Sequence, residues 1–184
     1  MSLPAIVIGF GAYSVAAALS GLYILGKEAS QTSSKTLSIY AFLAFLALFF
    51  NSLDFIIFAP LGMVQPAISI QLLFGLLTLL FSFVWLGFSI SLIYNLDLKF
   101  VGDSALMLFF FNVIGFVLVF QWFNVFGTIG FIILQINMIL YLLVEYGFWA
   151  LTHEKISAKV QGYFLLISAF LNFLVVLYTG GIII

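Results

Sequence analysis

The sequence predicts an all-α integral membrane protein with six transmembrane helices. Of its 184 residues, 66% are hydrophobic and only 6% are charged, whereas soluble domains carry about a quarter charged residues. Six apolar stretches are each long enough to cross a bilayer, which takes roughly 20 residues, while a transmembrane β-barrel would show runs of about ten alternating residues. A net charge of −1 and the absence of cysteine exclude a basic nucleic-acid binder, a disulfide scaffold and thiol catalysis.

The predicted helices follow one another with short polar or Gly/Pro-containing connections. They are expected at about Leu3–Gly26, Leu37–Ala59, Ala67–Tyr94, Ser104–Trp122, Val125–Ala150 and Val160–Thr179. Almost nothing is left for an extramembrane region, so residues 1–184 are treated as a single domain, with halves at 1–95 and 96–184 if the chain repeats. The lipid bilayer is the first partner, and the expected location is the cell membrane, crossed several times.

The lysines are distributed unevenly between the two sides of the predicted bundle. All of them lie in alternate connections: Lys27 and Lys35, then Lys99, then Lys155 and Lys159. The other connections, Pro60–Pro66 and Phe123–Asn124, carry no charge, and neither do the termini. Cytoplasmic loops carry an excess of Lys and Arg, so the lysine-bearing connections are expected inside and both termini outside.

Two acidic residues, Asp54 and Glu145, fall within predicted spans, half the chain apart. Each follows an apolar residue and precedes an aromatic one, and each lies near the opposite end of its helix, which suggests two inverted three-helix repeats. A charged residue at the bilayer centre costs about 2.5–3.5 kcal/mol, so such residues usually face a bundle interior or a solute path. The structural alternative is that both carboxyl groups reach the interface or bond a neighbouring backbone.

Small and uncharged polar residues supply the remaining candidates. The first helix is rich in Gly, Ala and Ser, which allows close helix packing or lines a pore. Uncharged polar residues in helices two to six suit either helix–helix hydrogen bonds or a route for a neutral solute: Asn51, Gln71, Ser82, Ser89, Ser91, Asn112, Gln135, Asn137 and Gln161.

Cofactor chemistry is not expected. The single histidine, His153, lies in a connection, so a bis-His haem or a His-based zinc site cannot be built. The chain contains no phosphate-binding loop, nucleophile elbow or metalloprotease motif. We therefore expect no metal, no cofactor and no enzymatic activity.

Several short motifs resemble those of a channel family. They are the run Phe81-Ser82-Phe83-Val84-Trp85-Leu86, the connection Asn95-Leu96-Asp97-Leu98-Lys99, the pair Gly21-Leu22 before a Ser/Thr-rich loop, and Glu145 near the end of helix five. Together with the helix number and chain length, they resemble the AmiS/UreI family of urea and short-chain amide channels. The family usually has Arg at the position of Lys99.

The resemblance implies a hexamer in which each protomer has its own narrow, passive pore. It implies pore-facing roles for Ser14, Ala17, Phe81 and Trp85. The chain also departs from the family pattern.

Two of these departures change the pore and one changes the outer loop. Gln135 and Ile139 stand where the gastric urea channel has a tryptophan pair, and Gln161-Gly162 stands where it has Glu-Gly. The outer connection at residues 60–66 contains no His, so no histidine-driven acid gate is expected, and the solute need not be urea.

Three functions remain open at this point. The leading hypothesis is a homo-oligomeric passive channel for a small neutral polar solute. The alternatives are an accessory or structural subunit of a larger membrane complex, and a transporter coupled to protons through Asp54 or Glu145. No nucleic-acid partner is expected.

Overall fold

The computed structural model describes residues 3–26, 31–59 and 62–179. The described chain forms six α-helices: α1 Leu3–Ile24, α2 Gln31–Leu53, α3 Ala67–Tyr94, α4 Lys99–Val119, α5 Phe123–Thr152 and α6 Ala158–Thr179. A π-helical segment, Asp54–Phe58, continues α2, and a 3-10 turn, Phe120–Trp122, joins α4 to α5. Each of the six helices is long and apolar enough to cross a membrane, which confirms the predicted multi-pass, all-α architecture.

Two helices begin at least about five residues earlier than their apolar stretches indicate. Helix α2 begins at Gln31, not Leu37, and α4 begins at Lys99, not Ser104. At the start of α4, the Asp97 carboxylate accepts a hydrogen bond from the Lys99 backbone N–H at 2.9 Å. Hydropathy identifies the segment that crosses the hydrocarbon core, but a helix continues into polar residues where its first N–H groups find partners.

The connection between α4 and α5 was predicted at the wrong residues. Phe123–Asn124 belongs to α5, and the chain reverses at Phe120–Trp122 instead. The ring of Phe120 lies 5.4 Å from the rings of both Phe116 and Phe131. Edge-to-face aromatic contacts of this kind stabilise a tight hairpin. Gln121 is the one polar residue of the turn, and a single glutamine does not distinguish it from the apolar spans on either side.

Consecutive helices pack in antiparallel fashion. Along α4 and α5, a side chain at Gly102 would meet Thr152 near one end, and Phe120 contacts Phe131 near the other. Helix α1 packs against α6 in the same manner and closes the six helices into a ring. This alternation places the α1–α2, α3–α4 and α5–α6 connections at one end of the bundle.

We call this end the lysine end, because it carries Lys35, Lys99, Lys155 and Lys159. The predicted grouping of these lysines therefore agrees with the helix directions. The fifth lysine, Lys27, lies outside the described residues.

Small residues allow α1 and α6 to approach closely. A Cβ atom on Gly21 would lie 2.9 Å from the Gly162 carbonyl oxygen, and one on Gly162 would lie 3.1 Å from the Gly21 carbonyl oxygen. Ala16 and Ala17 are buried in the main core cluster. Since lipid chains are as apolar as leucine side chains, close packing of this kind is a principal source of helix association in a membrane.

Candidate solute-binding site

Helical spacing brings aromatic and polar side chains to the centre of the ring. Residues three and four positions apart share one face of a helix. On α3 these are Phe81, Trp85 and Phe88, on α5 they are Asn137, Tyr141 and Glu145, and on α6 they are Gln161, Leu165, Ser168 and Asn172. All of these side chains are buried or half-buried, so they occupy most of the interior of the ring.

An aromatic layer crosses the middle of this interior, formed by Tyr13, Phe81, Trp85 and Tyr141. The ring centroid of Tyr13 lies 5.2 Å from that of Phe81, 5.9 Å from that of Trp85 and 5.3 Å from that of Tyr141. Tyr13 is fully buried, and its hydroxyl shares a hydrogen bond of 2.6 Å with Ser168. The layer thus links the alternate helices α1, α3 and α5 across the centre, and α6 fixes the Tyr13 ring.

A hydrogen-bond network centred on Asn172 lies beside the aromatic layer, toward the end opposite the lysines. The Asn172 side-chain oxygen accepts bonds from Tyr141 at 2.5 Å and Asn137 at 3.3 Å. Its amide nitrogen donates to the Phe10 carbonyl at 2.7 Å and to the Ser14 hydroxyl at 2.8 Å. Asn172 therefore connects α1, α5 and α6.

A pocket of about 40 Å³ lies on the other side of the aromatic layer, toward the lysine end. Its walls come from the halves of α1, α3, α4, α5 and α6 that lie toward the lysine end. Aromatic rings and polar side chains share the lining, notably Phe81, Trp85, Phe88, Phe148, Glu145 and Gln161. Because a water molecule needs about 10–15 Å³ of this space, the pocket has room for about three waters or one small solute.

Four side chains that line this pocket carry buried polar atoms with no hydrogen-bond partner among the described residues: Ser20 Oγ, Trp85 Nε1, Glu145 Oε2 and Gln161 Oε1. The glutamate and glutamine side chains are each held by their other polar atom. Asn112 Nδ2 donates to Glu145 Oε1, and Gln161 Nε2 donates to the Val144 carbonyl at 3.0 Å. Three oxygens and one N–H donor are thus buried without a partner on side chains that line the pocket, which is costly. The accessible wall of the pocket is apolar, so a guest would reach these atoms only if their side chains shift.

The structure brings some of the predicted site residues together. Phe81, Trp85, Gln161 and Glu145 all line the pocket. Glu145 is only 2% exposed, so its side chain lies inside the bundle and does not reach the interface.

Other predicted residues lie away from the pocket lining. Ser14 bonds Asn172 and the Phe10 carbonyl, and Ala17 is buried in the core cluster. Gln135 is buried without a partner for either amide atom among the described residues. Ile139 is 45% exposed and lies on the outer surface of the bundle. Asp54 begins the π-helical segment at the end opposite the lysines.

Sequence reasoning missed three residues that organise this interior: Ser20, Ser168 and Asn172. Ser20 was visible only as one small residue among many in the first helix. Ser168 and Asn172 continue the spacing of Gln161 along α6, and this recurrence of polar residues on one helix face was the signal available for them.

Comparison of the chain with protein-family models, with characterised proteins and with solved structures found no match.

Proposed function

We propose that this protein is a passive channel for a small neutral polar solute, such as urea or a short-chain amide, which passes through the interior of the helix ring. The observation that carries the proposal is the unpaired set of one N–H donor and three oxygens on side chains that line the pocket, which a small shift of those side chains would present to a solute. An amide or urea molecule offers the complement, since its carbonyl oxygen accepts one bond and its NH₂ groups donate several. A passage with few hydrogen-bonding groups admits such a solute and leaves hydrated ions outside.

The resemblance to the AmiS/UreI family supports the same proposal. In this interpretation the aromatic layer is the constriction, and its rings move aside to let a flat solute reach the Asn172 network and the opposite end. Four residues expected on the solute path do not line the pocket: Ser14, Ala17, Gln135 and Ile139. They would face the path only if the helices rotate relative to this arrangement. The assembly is proposed to be a homo-oligomer, a hexamer by the resemblance, in the cell membrane.

The proposal is tested by solute flux into liposomes. Liposomes that contain the purified protein should take up urea or acetamide faster than empty liposomes, at a rate independent of a proton gradient. Trp85→Phe keeps an aromatic ring but removes the Nε1 donor, so it should lower urea permeability about tenfold, the equivalent of one lost hydrogen bond of about 1.4 kcal/mol. The matched control is Trp149→Phe, because Trp149 contacts Tyr146 and His153 outside the pocket lining. Equal urea permeability in the Trp85 variant and the native protein would contradict this use of the pocket.

Membrane orientation is part of the proposal: the lysine end lies in the cytoplasm and both termini lie outside. The native chain contains no cysteine, so single cysteines report orientation without background. Met63→Cys, in the exposed α2–α3 connection, should react with an impermeant maleimide in intact cells. Ser157→Cys, in the α5–α6 connection, should react only after the membrane is opened, and the reverse pattern would overturn this orientation. The two inverted three-helix repeats are proposed from the matching sequence patterns around Asp54 and Glu145.

The aromatic layer itself favours a second candidate, an accessory or structural subunit of a larger membrane complex. Its rings are in close contact across the centre of the bundle, as they would be in a solid scaffold. Measuring the mass of the assembly in native nanodiscs separates the two candidates. A ring of identical chains supports the channel, whereas a mixed complex that shows no urea flux supports the subunit.

Burial of Glu145 beside the pocket favours a third candidate, a proton-coupled transporter. In that case uptake would follow the proton gradient and would be lost in Glu145→Gln or Asp54→Asn. Uptake that ignores the gradient would exclude it.

A further inference from the structure

We propose that the pocket is a dry binding site for one small apolar molecule, either a noble-gas atom or a diatomic gas such as dioxygen. The feature that points to it is the accessible wall of the pocket, which is apolar. The inference goes beyond the proposed channel and does not rest on it. It concerns the side chains as they are placed, before any shift that would present polar atoms to a solute.

The polarity of the wall disfavours water as the occupant. A buried water molecule makes about three hydrogen bonds to polar groups that have no other partner. Four of the lining side chains carry unpaired polar atoms, but these atoms have almost no accessible surface. Gln161 Oε1, for example, lies against Gly147. Cavities with apolar walls stay dry, so the space is open to an apolar guest.

The volume of the pocket sets the size of that guest. It is about 40 Å³, roughly a quarter of an engineered cavity of about 150 Å³ in another protein that is lined by Leu, Ile and Phe and binds benzene or xenon. A benzene ring needs room for six carbons in one plane, whereas a single atom or a diatomic molecule needs far less. The pocket therefore admits a guest of one or two heavy atoms and excludes benzene.

Aromatic rings hold the pocket open. Phe88 lies between Trp85 and Phe148 at ring-centroid distances of 5.9 and 5.7 Å, and its ring is nearly perpendicular to both. These edge-to-face contacts are favourable, and the rings would lose them if they moved into the empty space.

A guest in the pocket gains contacts that the bilayer does not offer. Atoms that face a void lose the dispersion contacts on that side, and a small guest restores them from several directions at once. Interiors of folded proteins are more densely packed than liquids, so these contacts are closer than those among fluid lipid chains. We therefore expect binding in the pocket beyond the simple partition of the gas into lipid.

The test is methyl NMR of the full-length protein in nanodiscs under increasing xenon pressure. Xenon also dissolves in the bilayer, so the shape of the response distinguishes binding from partition. The methyl signals of Val84, Val144 and Leu165, which line the pocket, should shift and then saturate. Those of Val113 and Ile132, which are exposed on the outer surface, should shift in proportion to the pressure.

Filling the pocket should abolish most of the binding. Ala105→Val adds two methyl groups to a residue of the pocket wall. It should weaken xenon binding at least about tenfold, because the added groups and the guest cannot share one close-packed space. The matched control is Val113→Ile, which enlarges an exposed side chain on the same helix and should change xenon affinity less than about twofold.

Melting curves show whether Ala105→Val folds. If it does not, Val144→Ile takes its place, since it adds one methylene to another residue of the wall and should weaken binding about threefold.

Four results would overturn the inference. They are pocket signals that respond in proportion to pressure like the surface ones, unchanged xenon affinity in the filled variant, an equal loss in the Val113 control, and saturable binding of benzene to the native protein. Added dioxygen should lower the apparent affinity for xenon, because both guests compete for one space. An absence of competition would overturn the inference for diatomic gases.

Discussion

Replacement of Asn172 by leucine is expected to destabilise the folded protein by about 2–4 kcal/mol. The side chain makes four hydrogen bonds to α1 and α5, and such bonds in membrane proteins average about 0.6 kcal/mol each, with a maximum of about 1.7. Leucine has the same number and branching of side-chain heavy atoms, although its methyl groups are bulkier, and it leaves the Tyr141 hydroxyl and the Asn137 amide without a partner in the interior. Unfolding of the purified protein in mixed micelles, with increasing SDS, measures the difference.

A matched control is Gln135→Leu. Gln135 is a buried amide on α5, and neither of its side-chain polar atoms has a partner among the described residues. Replacing an unpaired buried amide by an apolar group of similar size is nearly neutral or stabilising. If both leucine variants lost the same stability, the effect of Asn172 would come from its shape and not from its hydrogen bonds.

Valine at Gly21 is expected to destabilise the protein by about 1–3 kcal/mol, the usual range for overpacking. A Cβ atom there would lie 2.9 Å from both the Gly162 carbonyl oxygen and Leu166 Cγ. The carbonyl belongs to the backbone of α6, so relief requires the two helices to separate. Thermal unfolding in detergent, followed by tryptophan fluorescence, measures the loss.

The control for this variant is Gly11→Val, on the same helix. A Cβ atom at Gly11 would meet nothing within 4 Å among the described residues. This substitution should change the thermal midpoint little, since valine and glycine differ only modestly in a helix apart from packing. Equal losses at the two positions would show that α1 and α6 are not held by their close contact at Gly21.

The six spans could be predicted from sequence because apolar length is directly visible in it. The ends of the helices could not be predicted in this way, as the start of α2 and the α4–α5 turn show. Helix α2 begins at Gln31 and its first turns are polar, so hydropathy does not include them in the predicted span. The turn at Phe120–Trp122 contains two aromatic residues and a single polar one, Gln121, so hydropathy does not distinguish it from the spans on either side.

The site was predicted only in part, for a reason specific to membranes. Phe81, Trp85, Glu145 and Gln161 meet at the pocket, but Ile139 lies on the outer surface. In water, an exposed face is polar and shows which way a helix is turned. In a bilayer the exposed face is as apolar as the core, so the rotation of each helix is visible only where polar residues recur. Asn172 and Ser168 supply that signal on α6. On α5 the recurrence of Asn137, Tyr141 and Glu145 supplies it too, and it marks a face that does not include position 139.

Closure of the ring between α1 and α6 has a consequence for biogenesis. Chains are synthesised at about 5–20 residues per second, so α1 is made roughly 7–30 seconds before the segment that completes its surroundings. Until then, the Ser14 hydroxyl and the packing surface around Gly21 lack the α6 residues that they contact in the finished bundle. Assembly of this protein therefore ends with the joining of its earliest and latest helices, and a nascent chain stalled before α6 should present α1 to chaperones and quality-control proteases.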